Sequence, residues 1–165
     1  QDTDELASPG KTITFQGPAA AVAREVAKLE AQGVNKIIVL SHSGYGLDQM
    51  VAAKVAGVDV IVGGHSNTFL SNISDRAAGP YPTMVTGPDG GKTAIVSAYA
   101  YGKYLGELDV VFDDAGKIVT AVGEPIVIDG TIAEDPQVKG RREQMAEPLE
   151  QIRNNVRAQT NHTLA

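Results

Sequence analysis

The sequence predicts an α/β fold, and three observations predict it. Two short apolar runs, Ile37-Ile38-Val39-Leu40 and Val58-Asp59-Val60-Ile61-Val62, have the length of strands buried on both faces. Between them residues 47–55 keep apolar side chains at helical spacing, so residues 34–70 read strand, helix, strand. Beyond Pro82 the period shortens to that of strands broken by Gly-rich turns, which is a hairpin pattern. A strand–helix–strand unit is parallel. It brings the carboxyl ends of both strands to one edge of the sheet, where ligands of open α/β folds gather.

Taken in order, residues 1–10 are polar, end in Ser8-Pro9-Gly10 and read as a leading loop, and Thr12-Ile13-Thr14-Phe15 is expected as a short edge strand. A helix should start at Gly17-Pro18, with Val22, Val26 and Leu29 on one face and Gly33 stopping it. Its Arg24, Glu25, Lys28 and Glu30 read as a solvated face. After the strand–helix–strand unit, residues 71–82 are rich in Ser, Asn, Gly and Pro and read as a surface loop.

The first hairpin pairs residues 83–86 with 93–97 around Gly87-Pro88-Asp89-Gly90-Gly91, and the second pairs 105–112 with 117–122 around Asp113-Asp114-Ala115-Gly116. Together they imply a mixed or antiparallel sheet beside the parallel one. Tyr99, Tyr101 and Tyr104 read as aromatics packed across a sheet edge with wet hydroxyls rather than as a platform for a base. Asp135 and Pro136 open a last helix as N-cap and first residue, with Val138, Met145, Leu149, Ile152 and Val156 as a loose apolar stripe. Pro148 should kink or interrupt it.

Bulk properties narrow the function classes. The 165 residues are 42% hydrophobic and 21% charged, the composition of one globular domain. A net charge of −6, without any Lys/Arg run, argues against a nucleic-acid groove or an anionic membrane surface as partner. No apolar run approaches the roughly 20 residues that span a bilayer, so no membrane insertion is expected. There is no cysteine, so any metal must be held by nitrogen and oxygen donors. Gln1 in place of an initiator methionine fits a segment of something longer.

The candidate site lies at the ends of the two apolar runs. Ser41-His42-Ser43-Gly44 closes the first, and Gly63-Gly64-His65-Ser66-Asn67 closes the second, with the glycines letting the backbone turn sharply. Two imidazoles and a carbonyl oxygen converging on one rim suit a divalent ion of the zinc or manganese kind. Spacing alone leaves open whether they are ligands or hydrogen-bonded loop residues.

The blocks LSHSG and GVDVIVGGHSNTFL resemble the later metal-binding blocks of the 5'-nucleotidase family of dinuclear metallophosphoesterases, in the ecto-5'-nucleotidase-like variant with Asn replacing a second histidine. The resemblance extends to TDELASPG, YPTMVTGPDGGKTAIVSAYAYGKYLGELDVVFDDAGKIV and EDPQV. It implies the C-terminal half of the catalytic domain, part of a calcineurin-like metallophosphoesterase α/β/β/α sandwich, with a C-terminal linker helix. The implied division is catalytic portion at 1–130, linker helix at 131–158, and the start of a substrate-binding domain at 159–165.

The same resemblance implies two divalent metal ions, zinc or manganese, in the intact protein. His42 and His65 match positions that bind one ion, and Asn67 matches a ligand of the other. The family's Asp-x-His pair, bridging Asp and catalytic Asn-His pair have no counterpart before His42, and Asn161-His162 reads as tail. No catalytic or substrate-binding residue is therefore assigned in this chain, which alone should bind metal poorly and hydrolyse phosphate esters negligibly. The intact protein is expected to be a periplasmic or extracellular hydrolase of nucleoside 5'-monophosphates. Competing readings are a related enzyme acting on nucleotide-sugars, cyclic phosphodiesters or thiosulfonates, and a non-catalytic α/β binding module. A half-domain would also expose a sheet face that its other half covers, which makes self-association plausible.

Overall fold

The computed structural model describes residue 8 and residues 10–161, so most of the leading loop and the tail carrying His162 lie outside the described residues. The chain divides into two compact units, Gln1–Ile128 and Asp129–Ala165. The first unit contains α1 (Pro18–Glu30), β1 (Ile38–Leu40), α2 (Tyr45–Lys54), β2 (Val60–Val62), β3 (Thr83–Thr86), β4 (Lys92–Val96), β5 (Tyr104–Phe112) and β6 (Ile118–Val127). The second holds α3 (Pro136–Asn161).

Residues 12–15 form no strand; they are irregular and exposed, because β propensity without a pairing partner does not hold an edge. Pro18 occupies the first turn of α1, where its missing N–H costs nothing, and Val26 is the buried centre of the expected stripe. The main sheet has the order β1-β2-β4-β3. β1, β2 and β4 are parallel, with Ile38 opposite Val60 and Val60 opposite Ala94, while β3 runs antiparallel to β4. The first hairpin therefore joins the parallel sheet instead of standing beside it. What draws it in is the far strand: Ala94 N donates to the Asp59 carbonyl at 2.8 Å, and the Thr93 hydroxyl donates to the Val58 carbonyl at 2.7 Å.

Alternation along these strands sorts the sheet into two faces. Ile61 and Ile95 point to the helices, where Val26, Val51, Ala52, Val55 and Val58 complete the core. Ile38, Val60, Val62 and Val96 point the other way, towards Tyr81, Leu108 and Val110, and line an open groove of about 630 Å³. β1 lies at the edge of the sheet, so the expectation of two-sided burial fails there: Ile38 is 62% and Leu40 82% exposed.

β5 and β6 form a separate two-stranded sheet, turned by Gly116 at φ +80°. It is tied back by the segment read as a surface loop. The Ser71 hydroxyl and the Asn72 backbone N–H both donate to the Glu124 carboxylate, and the Asn72 side-chain oxygen accepts from Tyr81 N at 3.1 Å. Ser71 is buried because its hydroxyl bonds Glu124 rather than water, and Tyr81 because its ring packs with Leu70, Val96 and Leu108. At Gly123 a Cβ would collide with the Glu107 backbone carbonyl on β5. Gly123→Ala is expected to lower stability by about 1–3 kcal/mol. An unchanged denaturation midpoint would show that the hairpin can absorb the methyl group.

In the second unit the Asp135 carboxylate accepts from Gln137 N and Val138 N, each at 2.9 Å, and so caps α3 as expected. Glu134 adds ion pairs to Lys139 and Arg142. Pro148 does not interrupt the helix, which runs through it to Asn161. Val138, Met145, Leu149, Ile152 and Val156 are all exposed.

Candidate metal centre

Two loops build the site, each leaving the carboxyl end of a parallel strand. Ser41 N donates to the Val62 carbonyl at 2.9 Å and Gly63 N to the Val96 carbonyl at 2.8 Å, so both loops leave the sheet from a fixed ladder. His42 follows the first of these bonds by one residue and His65 the second by two. Their ring centroids stand 5.3 Å apart, edge to face at 68°.

That separation can be compared with what a shared ion needs. Two imidazoles on one tetrahedral ion, with metal–nitrogen bonds of about 2.0–2.1 Å, place their ring centroids roughly 5 Å apart. The pair fits one ion. Asn67 lies two residues beyond His65, exposed and in the left-handed region at φ +49°, a conformation its short amide side chain tolerates. Among the described residues no group of three or more His, Asp or Glu side chains is arranged to hold a metal ion.

The two loops lie against one another, and at Gly64 the approach is close enough to require glycine. A Cβ on Gly64 would come within 3.1 Å of His42 Nδ1, and one on Gly44 within 3.6 Å of His65 Cδ2. His65 itself sits at φ +68°, spanned by a bond from Ser66 N to the Gly64 carbonyl at 2.8 Å. Such a three-residue turn around a positive φ is rare and strained, and strain of this kind gathers at functional sites. The Ser66 hydroxyl holds the turn: it accepts from Tyr45 N at 3.1 Å and bonds the Thr68 hydroxyl at 2.7 Å.

Sequence reasoning missed Asp48, in the first turn of α2. It is 1% exposed, its Oδ1 accepts the Ser41 hydroxyl hydrogen bond, and its Oδ2 has no partner. Burial pushes the carboxyl above its ordinary value of 3.8, and the Ser41 bond opposes this. A carboxyl raised on folding holds its proton more firmly folded than unfolded. Its contribution to stability is complete below the unfolded value and declines as pH rises through the folded one. Asp48→Asn is therefore expected to raise the melting temperature at neutral pH, with the gain vanishing below the ordinary carboxylate range. Melts between about pH 3 and pH 8 check this; a gain equal at both ends would remove the explanation.

The aromatic segment behaves as a packed cluster. Phe69 stacks on Tyr104 at 4.6 Å, Tyr99 meets both edge-on, and the Lys103 ammonium lies over the two tyrosines. Tyr101 is not among these contacts and is exposed.

No protein-family model matches the chain. The structure aligns with the 5'-nucleotidase precursor from Thermus thermophilus at a TM-score of 0.80 and 40% identity, covering 86% of this chain and 29% of that one. This is a mixed α/β domain of the nucleotidase type. In sequence, the chain is 48% identical over 143 residues to the 5'-nucleotidase of Bos taurus, and 46% identical over 143 residues to that of Homo sapiens. Both matches cover 84% of this chain and 25% of the relative. The chain belongs to the 5'-nucleotidase family, as a segment spanning about a quarter of the length of these relatives.

Proposed function

We propose that this chain supplies the histidine side of a two-metal centre in a 5'-nucleotidase, a phosphoric monoester hydrolase releasing phosphate from nucleoside 5'-monophosphates. The observation that carries the reading is the His42–His65 ring separation of 5.3 Å at the ends of adjacent parallel strands. His42 and His65 hold one ion through imidazole nitrogens, and the Asn67 carbonyl oxygen serves the other. The ions are zinc or manganese, given an all nitrogen and oxygen donor set. When bound, such a pair activates water and neutralises the phosphoryl oxygens. The chain's own residues orient the donors: Gly64 leaves room for the His42 ring, Gly44 takes the positive φ of +94° that leads into α2, and Ser66 fixes the His65 turn.

Carboxylate ligands and a proton-transfer group come from elsewhere in the whole protein. Residues 1–130 are then the later portion of a calcineurin-like α/β/β/α catalytic domain. Residues 131–158 are a linker helix and 159–165 the start of a substrate-binding domain. The exposed β1 face is covered in the whole protein and sticks to a second copy in its absence. Periplasmic or extracellular residence follows the family resemblance. Among the described residues no helix is long and apolar enough to cross a membrane.

Phosphate release from AMP with added Zn²⁺ or Mn²⁺ tests the proposal. The 165-residue chain should stay at background, and a longer protein carrying the same segment should turn over. Comparable turnover by the chain alone would refute the division of labour; an inactive longer protein would refute the activity.

A further inference from the structure

We propose that Asp48 is a positioning residue for the His42–His65 pair, holding the two histidine loops in register with one another from the first turn of α2. This rests on the metal-centre reading above and adds a residue to it.

A single buried side chain touches both loops. Its Oδ1 accepts from the Ser41 hydroxyl, and Ser41 Oγ in turn accepts from Ser43 N at 3.1 Å. His42 is the residue between those two, so its backbone is bracketed by one hydrogen-bond chain that ends on Asp48. The other oxygen, Oδ2, lies against Gly63, where an added Cβ would stand 2.6 Å from it. Gly63 precedes His65 by two residues and is fixed to β4 through the Val96 carbonyl.

Asp48 thus sits between the start of one loop and the start of the other, behind the histidine rings. Its position is set by the helix, since Asp48 N donates to the Gly44 carbonyl at 2.9 Å, and a Cβ on Gly44 would stand 3.6 Å from the His65 ring. A buried oxygen without a partner is costly to stability. It is what remains when a carboxylate is placed for the geometry of the loops rather than for its own satisfaction. Groups behind metal ligands commonly alter affinity by about tenfold to a hundredfold when removed.

Zinc titration of the full 165-residue chain, followed through the imidazole NMR signals of His42 and His65, tests this. Asp48→Ala should shift both imidazole signals without metal and weaken zinc binding by about tenfold or more. Asp48→Asn keeps an oxygen for the Ser41 hydroxyl and should restore most of the affinity. Asp59→Asn serves as the purely structural comparison. It alters another buried carboxylate, which accepts from Ile37 N at 2.7 Å, and should leave zinc affinity unchanged. Ser41→Ala cuts the same hydrogen-bond chain and gives the answer should Asp48→Ala fail to fold. Wild-type zinc affinity in folded Asp48→Ala, or in Ser41→Ala when the former does not fold, would overturn the positioning role alone. Zinc shifts absent from the wild type, or unaffected by His42→Ala, would bring down the metal reading and this inference with it.

Discussion

Alanine in place of His42 is expected to remove specific divalent-metal binding from the chain while leaving its fold intact. The magnitude follows from what one ligand contributes. Structural zinc sites with four protein ligands are worth about 10–16 kcal/mol, or roughly 3 kcal/mol per ligand, which is about a hundredfold in affinity. A site of two imidazoles starts weak, so the same loss brings it to the level of an isolated surface histidine. His65→Ala should behave alike, because the two rings form a pair of equals across 5.3 Å. Asn67→Ala should differ: as a donor to the second ion, it should alter zinc affinity at the histidine pair by no more than about twofold, well below the cost of losing a direct ligand.

Stability should scarcely move in the His42 variant, since that ring is exposed and outside both core clusters. Calorimetric titration with zinc beside thermal melts separates the two effects. Binding at wild-type strength in His42→Ala would mean that the ring geometry has no part in holding metal.

The parts of this site that were legible in the sequence are those written in local chemistry. An apolar run ending in small residues and histidine announces a strand whose tip carries a donor, and two such runs around a helical stretch put the donors on one rim. Asp48 was illegible because an acidic residue in the first turn of a helix is ordinarily a solvated partner of the helix dipole. Only closure of the tertiary structure brings it against Ser41 and Gly63. The two hairpins were legible as hairpins, but which sheet each joins was not. That depends on the bonds from Ala94 and Thr93 to residues 58 and 59, far away in the chain. Residues 71–82 are the irregular surface segment that their composition announced, but its ends, Ser71, Tyr81 and Pro82, are buried, since Ser and Asn are as suited to satisfying buried groups as to facing water. The exposure of β1 was likewise hidden, because its run is apolar on both faces although only one of them is packed.

That open face leads to the second large expected effect, which is concentration-dependent self-association of the chain. β1 offers Ile38 and Leu40 side by side with Val62 of β2, and among the described residues its outer edge has no neighbouring strand in the sheet. An unprotected apolar edge is a template for another strand, and neither a charge, a proline nor a bulge occupies residues 38–40 to blunt it. Two copies meeting about a two-fold axis through this edge and the apolar face beside it would bury the same side chains from each partner. Fully burying an Ile or Leu side chain is worth about 1.5–3 kcal/mol. Four of them across the interface would therefore provide on the order of 6–12 kcal/mol before the cost of association. The net charge of −6 opposes the encounter, so added salt should strengthen the dimer by screening. Sedimentation velocity should show mass rising with protein concentration in the wild type. Ile38→Lys with Leu40→Lys should be monomeric, weakened by about a hundredfold or more because each copy loses both anchors and gains buried charge. A wild type that stays monomeric up to about 100 μM, a concentration at which even a weak specific dimer of roughly 6 kcal/mol would be visible, would show that the face repels its own copy.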